Sequence, residues 1–301
     1  MLPSIPHFGV LNVNKPAGRT SRDVVNHVER LVRPSKAGHA GTLDPLASGV
    51  LVICVGQATR LIQYVQQMPK QYRATFLLGR HSATDDVEME ATPLTDPPIP
   101  SRAELDAVLP HFLGVIQQRP PAHSAIKIAG QRAYKLARCG KAVELAARPV
   151  TIHRLAVQRY EYPELEIEIE CGSGTYVRSL GRDLAASLST AAVMSALERT
   201  AIGQFRVEAA VSLDALTDDT IAEQMQPAVN AVSDLPRIML DDVQLAEIRH
   251  GRPIASSSDS TDIPPVNENS AEHAATDSTG TLVAILYQKN SAELWPKMNL
   301  V

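Results

Sequence analysis

Residues 164–170 read Glu-Leu-Glu-Ile-Glu-Ile-Glu, an unbroken alternation of carboxylate and aliphatic side chains. An extended strand puts Glu164, Glu166, Glu168 and Glu170 on one side and Leu165, Ile167 and Ile169 on the other. One face is then buried and the other wet, the pattern of an antiparallel sheet. Tyr72, Ala74, Phe76 and Leu78 alternate with Arg73, Thr75 and Leu77 and predict a second strand. The glycine-bounded, β-branched run at 49–56 predicts a buried one. Helical spacing occurs over 20–33, where Thr20 and Asp23 make a capping-box pattern ahead of Val24, Val25, Val28, Leu31 and Val32. It returns after 178 with Leu180, Leu184, Ala185 and Leu188. Strands and helices mix without a βαβ rhythm, so the class is α+β: a mixed, largely antiparallel sheet with flanking helices.

A chain of 301 residues suggests two domains at roughly 150 residues each. The strand pattern Thr281–Tyr287 lies beyond a polar Ser/Asp/Thr/Asn/Pro stretch at 255–280, read as a flexible loop. The expected division is a domain over 1–234 and a small β-rich domain over 235–301, interrupted by that loop. Residues 92–100 form a proline-rich loop. Three scattered cysteines, Cys54, Cys139 and Cys171, fit a reducing cytoplasm rather than a disulfide framework, and with no Cys-x-x-Cys and no His-Glu-x-x-His no metal site is expected. No apolar run is long enough to span a membrane, and the N-terminus lacks the pattern of a secretory signal. No heptad or apolar stripe argues for more than a monomer.

The net charge of −4 argues against a blanket polyanion binder, but it is unevenly distributed. Residues 211–301 hold 5 basic and 14 acidic side chains, a net of −9, leaving +5 on the remaining 210. Within 119–160, nine cations (Arg119, Lys127, Arg132, Lys135, Arg138, Lys141, Arg148, Arg154 and Arg159) face one anion, Glu144. Such local exclusion of acid marks a phosphate-binding surface, against the plainer alternative of a solvated basic face. Arg132, Lys135 and Arg138 are spaced three apart, so a short helix would align them.

Two glycine-rich segments are placed for chemistry. In 36–56, Gly38-His39-Ala40-Gly41-Thr42-Leu43-Asp44-Pro45 leads into the buried strand, setting a carboxylate between Leu43 and Leu46. Desolvation there raises a carboxyl pKa unless a cation opposes it; the alternative is a turn Asp before Pro45. In 172–183, Gly-Ser-Gly-Thr-Tyr-Val-Arg opens a helix. The loop could cradle a phosphate but lacks the complete nucleotide-binding fingerprints. A cation at a helix start opposes the helix dipole, so Arg178 calls for an anionic partner, for which Asp44 is one candidate.

The stretch Gly38–Leu51 strongly resembles the catalytic motif of the TruB-type tRNA pseudouridine synthases. Asn14-Lys15-Pro16-Ala17-Gly18-Arg19-Thr20-Ser21 is similar to that family's N-terminal signature, and Lys70-Gln71-Tyr72-Arg73-Ala74 to its tyrosine-bearing strand. The segments Pro120–Lys127 and Gly174–Leu180 also match, in order, over about 200 residues. The tail from Leu235 is similar to a PUA-type RNA-binding domain, with Arg249-His250-Gly251-Arg252-Pro253-Ile254 in the expected place.

The resemblance implies isomerisation of uridine to pseudouridine at position 55 of the tRNA T-loop, without cofactor or metal. It implies that Asp44 is the ionised nucleophile, attacking either the ribose C1′ or the uracil ring, with Arg178 as its ion-pair partner. Tyr72 would stack on the flipped base and serve in late proton removal at C5. Tyr176 and Leu197, the latter read as a helix residue, would pack around the uracil, and His39 would fill the gap the base leaves. Lys15 would stabilise its motif. Lys127, Arg132, Lys135 and Arg138, on an insertion over 119–160, would bind T-arm phosphates. The chain departs from the family at His123, where Phe is usual, at Gln57, where Glu is frequent, and in a shortened acidic loop over 79–91. The alternatives are a non-catalytic tRNA-binding protein or RNA chaperone retaining the fold, and an RNA-guided pseudouridine synthase.

Overall fold

The computed structural model describes residues 8–121, 145–256, 272–290 and 292–300, and the backbone of 127–128 and 131–132. Among these residues the central sheet has ten strands. They are β1 (Gly9–Lys15), β2 (Ala37–His39), β3 (Ser48–Val55), β4 (Lys70–Leu78), β5 (Gly114–Gln118), β6 (Arg148–Glu161), β7 (Glu164–Cys171), β8 (Ala192–Ile202), β9 (Phe205–Arg206) and β10 (Val211–Ser212). Their order is β10-β1-β3-β8-β4-β7-β6-β5, with β2 beside β3 and β9 beside β8. Only β1–β10 and β3–β8 are parallel. The sheet is therefore mixed and largely antiparallel, as the alternating patterns predict.

The carboxylate-rich strand β7 pairs on one side with β4, Ile167 opposite Ala74 and Ile169 opposite Tyr72. Its aliphatic face joins Phe76 and Leu78 in a core closed by helix α3 (Arg102–Val108) through Leu105 and by helix α4 (Val177–Ser187) through Val177, Leu180, Leu184 and Ala185. On the wet face Arg73 pairs with Glu166 and Glu198, so the exposed glutamates are partly offset rather than buried. Helix and sheet approach closely at one point. A Cβ on Gly181 would lie 2.0 Å from the Phe76 ring.

Strand β3 is apolar on both faces because it is covered twice. Helix α1 (Ser21–Leu31), started by the Thr20–Asp23 capping box, packs Val24, Val25 and Val28 against one side. Val50, Val52 and Cys54 on the other side join a cluster with helix α2 (Ile62–Gln67) and with Ala274, Leu282, Ile285 and Leu300 of the C-terminal sheet. That second sheet comprises β11 (Arg237–Met239), β12 (Ile254–Ala255), β13 (Glu272–Thr276), β14 (Leu282–Asn290) and β15 (Glu293–Asn299), in the order β11-β13-β14-β15-β12. It therefore shares a core with the central sheet.

Several expectations need correction. Leu197 lies on strand β8, not on a helix: buried Leu197 and Arg199 alternate with exposed Ala196 and half-buried Glu198 and Thr200. Residues 148–160 of the basic segment belong to β6, which is hydrogen-bonded on both sides within the central sheet and is not part of an insertion. Arg132 sits opposite Lys127 in a two-residue hairpin rather than on a helix. Lys135, Arg138 and His123 lie outside the described residues. The polar stretch 255–280 also contains a strand, β13, whose Ala274 and Ala275 are buried. Small alanines next to His273 and Glu272 carry a weak strand signal.

Candidate active site

The loop between β2 and β3 carries Asp44, and the second residue of α4 carries Arg178, 134 positions later. The Arg178 guanidinium meets the carboxylate with two nitrogens, Nε to Oδ2 at 3.0 Å and Nη2 to Oδ1 at 3.2 Å. This planar fork answers the question raised by a cation at a helix start. Its energy comes from paired charges in a low-dielectric site, not from the dipole. Arg178 is buried, whereas Asp44 keeps 32% of its side chain accessible, so one carboxylate surface remains open to a reactant.

A second carboxylate shares the arginine. Asp86, 1% exposed, lies 3.2 Å from Arg178 Nη1, and the same nitrogen donates to the Thr84 carbonyl at 2.8 Å. Thr84 Oγ1 and the Glu88 amide donate to Asp86 Oδ1. Glu88 in turn accepts from the Leu46 amide, two residues after Asp44. The short acidic loop is thus built into the site. Burial lifts the Asp44 carboxyl above its ordinary range, the Arg178 charge opposes that rise, and nearby Asp86 adds to it.

The Asp44 loop is held from both sides. Lys15, fully buried, donates to the carbonyls of Pro16, Arg19 and Pro45 at 2.9, 2.6 and 3.3 Å, and burial lowers its pKa to about 8. Ser21 Oγ accepts from the Leu43 amide at 2.9 Å. Arg199, on β8, donates to the carbonyls of Val50, Gly41 and Thr42. Gln118, also fully buried, uses both ends of its amide on the Tyr176 backbone, donating at 3.1 Å and accepting at 2.7 Å.

These elements enclose a cavity of about 320 Å³, large enough for a single nucleotide unit by the usual scale of ligand pockets. Asp44, Tyr72, Tyr176, Arg178 and Leu197 all line it, so residues predicted from separate stretches of the sequence converge. His39, at the end of β2, does not line it. Burial raises the Tyr72 phenol, with Arg199 the main opposing charge. Arg148 stacks over the Tyr176 ring at 5.1 Å and donates to the Gly174 carbonyl at 2.7 Å. Buried Lys70 donates to the Gln66 and Met68 carbonyls, and its pKa falls to about 8. Among the described residues the free cysteines are poor nucleophiles: burial pushes Cys54 up to about 12 and Cys171 up to about 11.

The arrangement suits covalent chemistry by a carboxylate on a planar ligand. Residues 29–177 match the TruB family pseudouridylate synthase, N-terminal domain. The tRNA pseudouridine synthase B of Arthrobacter sp. (strain FB24) is 40% identical over 286 residues, spanning 92% of each chain. The chain belongs to the TruB family. The corresponding protein of Mycobacteroides abscessus is 38% identical over 297 residues, covering 97% of this chain and 96% of its own. That of Rhodopirellula baltica is 40% identical over 259 residues, covering 81% and 74%. A solved Cbf5–Nop10–Gar1 complex contains a chain that superposes with a TM-score of 0.72 at 25% identity, covering 97% of this chain and 84% of that one.

Asp86, Arg199, Lys70 and Gln118 received no role from the sequence. For Arg199 a signal existed. Once 192–202 is read as a strand, Arg199 falls on the same buried side as Leu197, where a charge demands a reason. Asp86 had no comparable mark, since a Thr-Asp-Asp-Val run reads as a solvated loop.

Proposed function

We propose that this TruB-family chain isomerises uridine 55 in the T-loop of tRNA, with Asp44 as nucleophile on a flipped-out uridine. The observation that carries this reading is the two-nitrogen Asp44–Arg178 pair, half-open at the floor of a nucleotide-sized cavity lined by Tyr72, Tyr176 and Leu197. Extruding a base from a loop costs a few kcal/mol and gives the carboxylate access that a stacked base denies. The carboxylate attacks either C1′ or the uracil ring. The N1–C1′ bond breaks, the uracil turns within the cavity, a C5–C1′ bond forms, and the bond between Asp44 and the substrate breaks to return the carboxylate. Loss of the C5 proton, which the Tyr72 hydroxyl takes up while passing its own proton on to solvent, and protonation of N1 complete an isomerisation with no net change in composition. Arg178 keeps Asp44 ionised against burial.

Tyr176 and Leu197 hold the uracil plane, and His39 occupies the space the base vacates. Lys127, Arg132, Lys135 and Arg138 bind T-arm phosphates, which position the RNA without reading its sequence. The C-terminal sheet acts as a PUA-like RNA-binding unit, contacting RNA around Arg249 and Arg252. The enzyme works as a cytoplasmic monomer without cofactor or metal. Its likeness to the chain of the Cbf5–Nop10–Gar1 complex is at 25% identity, whereas relatives near 40% identity are named tRNA pseudouridine synthase B, which favours the stand-alone reading.

The test is site mapping. A tRNA transcript treated with the protein is modified with a pseudouridine-specific carbodiimide and read by primer extension. A stop at position 55, absent from a transcript carrying cytidine there, is the expected result. A stop elsewhere, or none, contradicts the proposed position.

A further inference from the structure

We propose that Arg199 is a positioning residue, whose guanidinium locks the Asp44 loop in register with the strand that carries Tyr72 and Leu197's own strand beside it. The inference rests on the reading of Asp44 and Tyr72 given above. Its foundation is the set of carbonyls that Arg199 bridges. Nη2 and Nη1 donate to Gly41 and Thr42 at 3.1 and 3.5 Å, just before Asp44, and Nε donates to Val50 at 2.8 Å, just after it. One side chain thus closes both ends of the loop that presents the carboxylate. The Arg199 backbone is opposite Gly49 on β3 and opposite Tyr72 on β4. Gly49 has φ +99°, and a Cβ there would sit 2.3 Å from the Arg199 carbonyl oxygen, so the two strands meet without room for a side chain.

The chemistry of the contacts points to geometry rather than stability. Arg199 is 2% exposed, and the partners that hold it are carbonyls rather than a carboxylate. A buried cation held by neutral acceptors is an expensive way to fasten a fold, because an apolar side chain of similar volume packs there without desolvating a charge. A planar fork reaches three acceptors at fixed angles, which a lysine ammonium does not. The same guanidinium faces the Tyr72 phenol and is the main charge opposing its burial, so both halves of the site refer to one group. A shift of about 1 Å between nucleophile and base costs roughly a hundredfold in rate, and Arg199 is the residue placed to prevent it.

The test compares Arg199→Lys and Arg199→Gln with the unmodified full-length chain. Three quantities are read: the single-turnover rate of tritium release from a tRNA transcript labelled at uridine C5, the affinity for that tRNA, and the melting temperature. The expected result is a rate lower by about a hundredfold in Arg199→Gln and about tenfold in Arg199→Lys. Affinity should stay within about twofold, and the proteins should remain folded at the assay temperature. Rates within about threefold of the unmodified chain in either folded variant would overturn the proposal. So would loss of rate and affinity together, or failure of both variants to fold, since each would make Arg199 a stability residue. No release by the unmodified chain would instead remove the functional reading on which the proposal stands.

Discussion

At Asp44 two physical demands conflict. The proposed reaction needs Asp44 ionised, and a carboxylate among Leu43, Tyr72 and Leu197 is pushed toward its neutral form. Arg178 opposes that push, and because it also serves Asp86 its loss strands two carboxylates. Removing the cation raises the Asp44 pKa further, so Arg178→Ala should move the acid limb of the turnover–pH profile to higher pH, measured under single-turnover conditions. An unchanged limb would mean that the ion pair does not govern Asp44. The same variant should lose about 3–5 kcal/mol of stability, the usual penalty for half of a buried pair, readable by urea denaturation. Asp44 and Arg178 were legible in the sequence because each sits awkwardly: an acid between leucines, a cation at a helix start. Asp86 was not, because nothing local distinguishes a buried aspartate in a short polar loop from a solvated one.

Among the elements, the alternation in β7 was the most informative feature, and its pairing with an equally alternating β4 follows from it. What the pattern cannot carry is a helix-to-sheet distance. Gly181 allows α4 to lie on Phe76, and the position of Arg178 one turn earlier depends on that approach. Gly181→Val should therefore destabilise the chain by about 1–3 kcal/mol through overpacking. It should also reduce turnover, and Phe76→Leu in the same chain should recover part of the stability. Equal melting temperatures for Gly181→Val and the unmodified chain would refute this reading. At α1, Thr20→Ala removes the cap of a helix that backs β3, and about 1 kcal/mol should be lost, with the catalytic rate unaffected. The strand identity of 192–202 is hidden in the sequence because Leu-Glu-Arg favours helix by propensity, and pairing with β4 overrides that preference.

At the scale of the whole molecule, a strand near the C-terminus was legible in the pattern over 281–287, but the core that its sheet shares with the central sheet was not. Ala274, Leu282, Ile285 and Leu300 close over Val50 and Val52, and no local pattern records which distant face an apolar strand covers. A chain ending at residue 234 should then expose that cluster, bind a hydrophobic dye and melt well below the full chain. Full-length protein should melt in one transition; two separated transitions would show independent units. The charge asymmetry also belongs to this scale. Reversing Lys127 and Arg132 together should weaken tRNA binding and make log affinity fall less steeply with log salt, by about 0.7–0.9 for each phosphate no longer neutralised. Identical slopes would take the hairpin out of the RNA path. The central claim, that Asp44 carries the isomerisation, is tested most directly by tritium release from C5-labelled uridine in a tRNA transcript, comparing the unmodified chain with Asp44→Asn. Forming the C5–C1′ bond must expel that hydrogen. Release by the unmodified chain and none by Asp44→Asn, with tRNA bound equally by both, is the expected result; release by Asp44→Asn at a comparable rate would assign the chemistry to another group.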